Sequence, residues 1–312
     1  IVSVAAFSAT PAFAQVSDTS GGSAVITDAA TLESNQDKNL FLVDDMTATT
    51  PNTETLTTGA SATQTIGDGT GAAITAEDDE ATDLTITNTS AGAANTLNVA
   101  GDIQKGTPDL SLILTANGQD QDVAVDGDLN LGSGTIDVDG SSANASNLSV
   151  TGDITSGAIT LDEGTANAAT LTLNGDGDQA VSATSTIDGN TNDEGSITVN
   201  NTGENSTTTF NGDIGVTSNT VSSLTVTQGD TNLAAAATFA GDVTVEQDTL
   251  TKGSTGALTA VNLTGAGAFT NEGTANISGN ITTTGETTNA GTLDVDGNID
   301  AAAGAITNTG TL

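Results

Sequence analysis

The residues in this chain with the means to do chemistry are carboxylates, and they recur beside glycine. Asp102, Asp128, Asp153, Asp213 and Asp242 each follow a glycine in the pattern apolar-x-apolar-x-Gly-Asp-apolar. Asp176 and Asp178 belong to the acidic turn Asn174-Gly175-Asp176-Gly177-Asp178. Carboxylates repeated at a fixed structural position, with turn carbonyls nearby, are the ligand type that calcium takes, since that ion collects six to eight oxygens. These seven aspartates are therefore the candidate cation ligands, and calcium is the candidate cofactor. The alternative is that they are solvated turn acids. An EF-hand is not among the options: Asn174, Asp176 and Asp178 fit its first three ligand positions, but the bidentate Glu of the twelfth is replaced by Ser185.

The rest of the composition narrows the chemistry further. The chain has 40 Asp plus Glu against 3 basic residues, Lys38, Lys105 and Lys252, for a net charge of −37. Nucleic acid and anionic membrane need Lys and Arg to neutralise phosphate, so neither is a fitting partner. There is no His or Cys, which removes the imidazole base, the thiol nucleophile and the ordinary zinc site. There is no Tyr or Trp to stack on a sugar or a base. Carboxylate-only catalysis, as in glycosidases, remains conceivable, but no one pair stands out. The expectation is a protein without catalysis.

What must position the acids is a strand. In Asn147-Leu148-Ser149-Val150-Thr151-Gly152-Asp153-Ile154 the apolar residues fall on alternate positions, the period of a strand buried on one face. The same unit recurs at 97–103, 123–129, 208–214, 237–243, 275–281 and 293–299. The residue types and the absence of a 3.6-residue stripe exclude helix. Large apolar residues are sparse enough to sit at the edge of disorder. Their regular placement argues for order. Short strands returning every 18 to 26 residues between Asn/Gly/Asp/Ser turns suit stacked rungs, in which each rung buries its apolar row against its neighbours. The fold class expected is all-β, a right-handed parallel β-solenoid (β-helix) of short strands with irregular loops. The alternative is antiparallel β-sandwich or meander repeats, with Gly-Asp as a hairpin turn. In the solenoid, Gly101, Gly127, Gly152, Gly212, Gly241, Gly279 and Gly297 are corner residues with no inward room for a side chain. If these steps stack on one another, the neighbouring aspartates line a single corner, and Asn280 and Asn298 occupy that place near the C-terminal end.

The ends of the chain read differently. Residues 1–14, IVSVAAFSATPAFA, are an apolar run closed by an A-x-A cleavage pattern, the remnant of a signal peptide cleaved after Ala14. Residues 15–80, which hold Pro51 and the acidic run Glu77-Asp78-Asp79-Glu80, match the unit poorly and are expected to form an N-terminal cap or irregular first rungs. Residues 81–312 are the solenoid, and the closing Gly310-Thr311-Leu312 reads as the start of a further copy, so the C-terminus is expected to be truncated.

A leader followed by a Cys-free, Thr/Asn/Gly/Asp-rich repeat, carried by stretches such as AFTNEGTANISGNITTTGETTNAGTLDVDGNID, resembles the passenger region of Gram-negative autotransporter adhesins. It is also similar to repeat-rich surface-layer and haemagglutinin-like proteins. The resemblance implies a secreted protein at the bacterial cell surface, serving as an extracellular structural or adhesive stalk. Its partners would be cell-surface or extracellular-matrix components, or other copies of itself, and the mature part has no transmembrane segment. The alternative function is a calcium-dependent surface-layer lattice. Minor alternatives are a solenoid polysaccharide-active enzyme and an ice-binding solenoid; unequal repeat lengths count against the latter.

Overall fold

The computed structural model describes residues 53–312, apart from loops at 59–62, 68, 70, 77–81, 89–93, 106–108, 117–118, 142–143, 165–167, 216–218 and 301–303. Before residue 53 it describes the backbone of Ala14–Gln15, Ala24–Ile26, Ala29–Leu32 and Leu40–Leu42. Among the described residues every regular element is a strand, and every strand pairing is parallel.

The chain winds through three faces in a fixed order. Asn95–Val99 lies on the first face, Asp102–Gln104 on the second and Leu110–Thr115 on the third. Gln121–Val125 then returns to the first face and pairs in parallel with Asn95–Val99, Val123 beside Leu97. Among the described residues, repetition of this circuit gives a ladder of ten strands on the first face and thirteen on the second. The third face has eight strands and then four, and Ile214 bridges the two groups by pairing with both Ile187 and Ala237. This is a three-sided parallel β-solenoid; the antiparallel alternative is not what forms. The described strands before residue 63 belong to the second and third faces, with Ala29–Leu32 against Thr53–Thr58 and Leu40–Leu42 against Ala72–Ala76. The leader at 1–13, Pro51 and the acidic run 77–80 lie outside the described residues.

Period-two alternation explains why so few large residues are enough. Each strand sends every second side chain inward, so Gln121–Val125 and Ser146–Val150 both alternate buried and half-buried. Parallel pairing in register stacks these inward residues into rows. One row on the first face runs Leu97, Val123, Leu148, Leu171, Ile197, Leu224, Val243, Leu263 and Ile281, all at most 1% exposed. Each such residue meets its counterparts in the coils above and below, and full burial of one is worth about 1.5–3 kcal/mol. The core is a continuous thin column.

Coil length changes along the chain. Residues stacked one coil apart are separated by 26 positions at Asp102 and Asp128 and 25 at Asp128 and Asp153. Beyond residue 230 the separations are 19, 20, 18 and 18. The turns shrink, while a parallel pairing on each of the three faces persists.

Candidate functional site

The Gly-Asp steps sit at the corners of the coil, as their sequence suggests, but not all at one corner. Gly101, Gly127 and Gly152 lie where the first face turns into the second. Gly212 lies between the second and third faces, after Thr207–Phe210 and before the Ile214 bridge. Gly241, Gly279 and Gly297 lie where the third face returns to the first. The expected single column of aspartates is thus divided among three corners. Asp102, Asp128, Asp153 and Asp178 share one, whereas Asp213 and Asp242 stand at the other two. The same heptad serves three places because each corner poses the same steric problem.

That problem is coil-to-coil approach. A Cβ built on Gly152 would stand 2.5 Å from the carbonyl carbon of Gly127 and 2.3 Å from Asp128 Oδ1. One on Gly127 would stand 2.4 Å from Asp102 Oδ1 and 2.8 Å from the carbonyl carbon of Gly101. The side chain is missing because the neighbouring coil occupies its space, rather than because the interior is full.

The aspartate beside the glycine has a defined task. Asp102 Oδ1 accepts the backbone N–H of Asp128 at 2.8 Å, Asp128 Oδ1 accepts that of Asp153 at 2.8 Å, and Asp153 Oδ1 accepts that of Ala180 at 2.7 Å. Asp178 Oδ1 takes the N–H of Thr207 at 3.0 Å, and Asp213 Oδ1 that of Ala236 at 3.0 Å. At the third corner Asp242 accepts from the Asn262 side chain at 2.8 Å; Asn262 and Asn280 then accept the N–H groups of Asn280 and Asn298 at 2.8 and 2.9 Å. At a corner the regular ladder lapses, and a short side-chain oxygen replaces the missing carbonyl acceptor. An Asn side-chain oxygen fills the same place as an Asp one, which accounts for Asn280. Asp176 is exposed on its turn. Among the described residues no three or more acidic side chains gather so as to hold a metal ion.

Three further groups carry unusual electrostatics. Lys105 donates to Asp109, which also receives the Ser133 hydroxyl; the Lys105 hydrogen bond, followed by those from Ser133, holds the Asp109 carboxyl down at about 2. On the third face Asp139 lies beside Asp162 in register, with Asp137 two residues earlier on the same strand. Burial, and then the neighbouring acids, push Asp137 and Asp139 above the usual carboxylate range. Burial does the same to Glu163, against the Gly195 N–H, and Glu194 and Asp193 add to it. The third group is Lys252, fully buried, whose pKa burial pulls below the ordinary lysine value. Sequence reasoning passed over all three, although the alternation in Thr249–Lys252 already points Lys252 inward beside Leu250.

A groove of about 570 Å³ lies open along the second face. It is lined by Thr207, Thr249, Thr251 and Ser254 with the carboxylates Asp230 and Glu272. Asp230 is already the acceptor for the Thr249 N–H, at 3.0 Å. The corners are the polar feature that recurs from coil to coil among the described residues. What they do chemically is hold one coil to the next. The fold and these corners define a parallel β-solenoid repeat protein. The chain matches no protein-family model, no curated protein and no solved structure.

Proposed function

We propose that this chain is the structural, adhesive stalk of a bacterial cell-surface protein, a stiff spacer that performs no catalytic step. The observation that carries this reading is the continuity of the stack. Among the described residues two faces are single parallel ladders, the third is two ladders bridged at Ile214, one thin core runs through the coils, and the polar side chains at the corners hydrogen-bond coil to coil. At about 4.8 Å per coil, the thirteen strands of the second face span about 60 Å. Such a rod holds what lies at its end away from what lies at its base. Its net charge of −37 keeps it solvated and repels anionic surfaces. The apolar run closed by Ala12-Phe13-Ala14 supports export. The lack of cysteine suits a chain that crosses an envelope unfolded.

The test is topological. Antibody raised against residues 95–312 should label intact cells, and protease added outside should remove the labelled region. Labelling only after lysis would overturn the reading. Beads coated with the fragment should bind cell-surface or matrix components if the stalk is itself adhesive.

A calcium-dependent surface-layer lattice is the second reading. The corner column of Asp102, Asp128 and Asp153 favours it, because carboxylates about 4.8 Å apart repel one another unless screened or bridged by a cation. It requires ordered sheets by electron microscopy with calcium, and a melting temperature that falls when the ion is chelated. An unchanged melt sinks it.

A further inference from the structure

One column of inward side chains changes character part-way along the solenoid. On the second face it reads, in register, Phe210, Leu233, Lys252, Asn271 and Asn289, all buried, and then Asn308, exposed on the last described strand of that face. Below Lys252 the column is apolar; above it, every residue is an amide. The change falls where the coils have shortened to 18 to 20 residues.

The amides are joined head to tail. Asn271 Nδ2 donates to Asn289 Oδ1 at 2.8 Å, and Asn289 Nδ2 donates to Asn308 Oδ1 at 2.8 Å. The second proton of each Nδ2 goes to a backbone carbonyl, that of Thr292 or Thr311, also at 2.8 Å. Those carbonyls settle which end is nitrogen in Asn271 and Asn289, and the Gly310 N–H, which donates to Asn308 Oδ1 at 3.2 Å, does so for Asn308. All three dipoles therefore point the same way, with their oxygen ends towards Lys252. Head-to-tail hydrogen bonds polarise one another, so the electronegative end of the row is stronger than one amide alone. That end is Asn271 Oδ1, which is buried and accepts no hydrogen bond.

Lys252 stands in register directly beneath it. The lysine is 0% exposed, and its ammonium donates to the carbonyls of Leu233, Gly253 and Thr255. Among the described residues no carboxylate pairs with it. A buried ammonium with no counter-ion is expensive, and an orphaned buried oxygen is a second cost. The two residues are stacked one coil apart. We propose that Lys252 is the charge cap of the amide ladder: its ammonium neutralises the electronegative end of Asn271–Asn289–Asn308, the ladder replaces the missing counter-ion, and the pair fixes the register from which the short coils are laid down. The arrangement parallels a cation placed at the negative end of a helix dipole.

The proposal separates from simple packing by its reach. Lys252→Met keeps length and apolar bulk and removes only the charge. In the full chain, followed by NMR, it should shift the side-chain amide signals of both Asn271 and Asn289 and speed exchange of the Asn289 Nδ2 protons at least about tenfold. A change that stops at Asn271 would overturn the proposal. Should that variant fail to fold, Asn289→Leu gives the reciprocal reading, because Asn289 lies two coils from Lys252. Shortening the ladder should move the titration of the Lys252 ammonium to lower pH, and an unmoved midpoint would overturn the proposal equally.

Discussion

Asp128 Oδ1 accepts the backbone N–H of Asp153, one coil further along, at 2.8 Å. The bond joins the same corner of two successive coils, and it needs an oxygen at that place but no charge. Asp128→Asn should therefore change stability by less than about 0.5 kcal/mol, in either direction, because the acceptor stays and repulsion from Asp102 and Asp153 falls. Asp128→Ala removes the acceptor and should cost about 1 kcal/mol. Urea unfolding of the two variants checks this. Equal losses in both would show that charge, and so a bound cation, is what the position supplies.

The glycines of the corners separate by what stands above and below them. A Cβ at Gly152 would meet backbone and carboxylate of the neighbouring coil at 2.3–2.6 Å, whereas one at Gly177 meets nothing within 4 Å. Gly152→Ala should cost about 1–3 kcal/mol through overpacking. Gly177→Ala should be neutral or gain about 0.4–1 kcal/mol by restricting the unfolded chain. Thermal melts of the pair read this contrast directly.

This is also where the sequence falls short of the structure. The alternation through Leu148, Val150 and Ile154 is enough to specify strand, period and inward face, and its recurrence specifies a stack of coils. Which corner each Gly-Asp step occupies is not written locally. Gly152 and Gly241 are flanked by the same kinds of residue, yet one follows a strand of the first face and the other a strand of the third. Both have to pass close to the next coil, and both are followed by an acid whose side chain reaches that coil. Their different places follow from long-range pairing and from turns of unequal length. The function of the acid was hidden for a similar reason. A carboxylate that caps a backbone N–H 25 residues away looks, in sequence, the same as one that faces solvent.

Stability should peak in mild acid rather than at neutral pH. Asp137, Asp139 and Glu163 are held above their ordinary values in the fold. The folded chain therefore binds protons more tightly than the unfolded chain at these sites, and stability rises as pH falls from 7 through their raised values. It levels off at the unfolded values, near 4. Asp109 works the other way. Its folded value of about 2 means that its contribution is present above the unfolded value of 3.8 and is lost as pH falls from there towards 2. Melting temperature against pH should climb from 7 to between 4 and 5 and drop below about 3.5. Asp139→Asn removes the in-register repulsion with Asp162. It should raise stability at pH 7 by about 0.2–1 kcal/mol and flatten part of the climb. A melting temperature that falls steadily from pH 7 downwards would contradict the assignment.

Damage to the core should stay local. Phe210 is 1% exposed and stacks in register between Val181 and Leu233. Phe210→Ala should cost about 3–5 kcal/mol, as the lost transfer energy adds to that of the cavity left behind. In a globular domain that loss is shared by the whole core. In a solenoid each coil touches only its neighbours, so stability is a sum of coil and interface contributions. Hydrogen exchange should therefore accelerate in Gln179–Val181, Thr207–Phe210 and Asp230–Leu233, while Asn95–Val99 and Gln121–Val125 keep their protection. Uniform acceleration from residue 95 to residue 295 would mean that the coils unfold as one cooperative unit, and that the rod is stiffer against local opening than nearest-neighbour stacking allows.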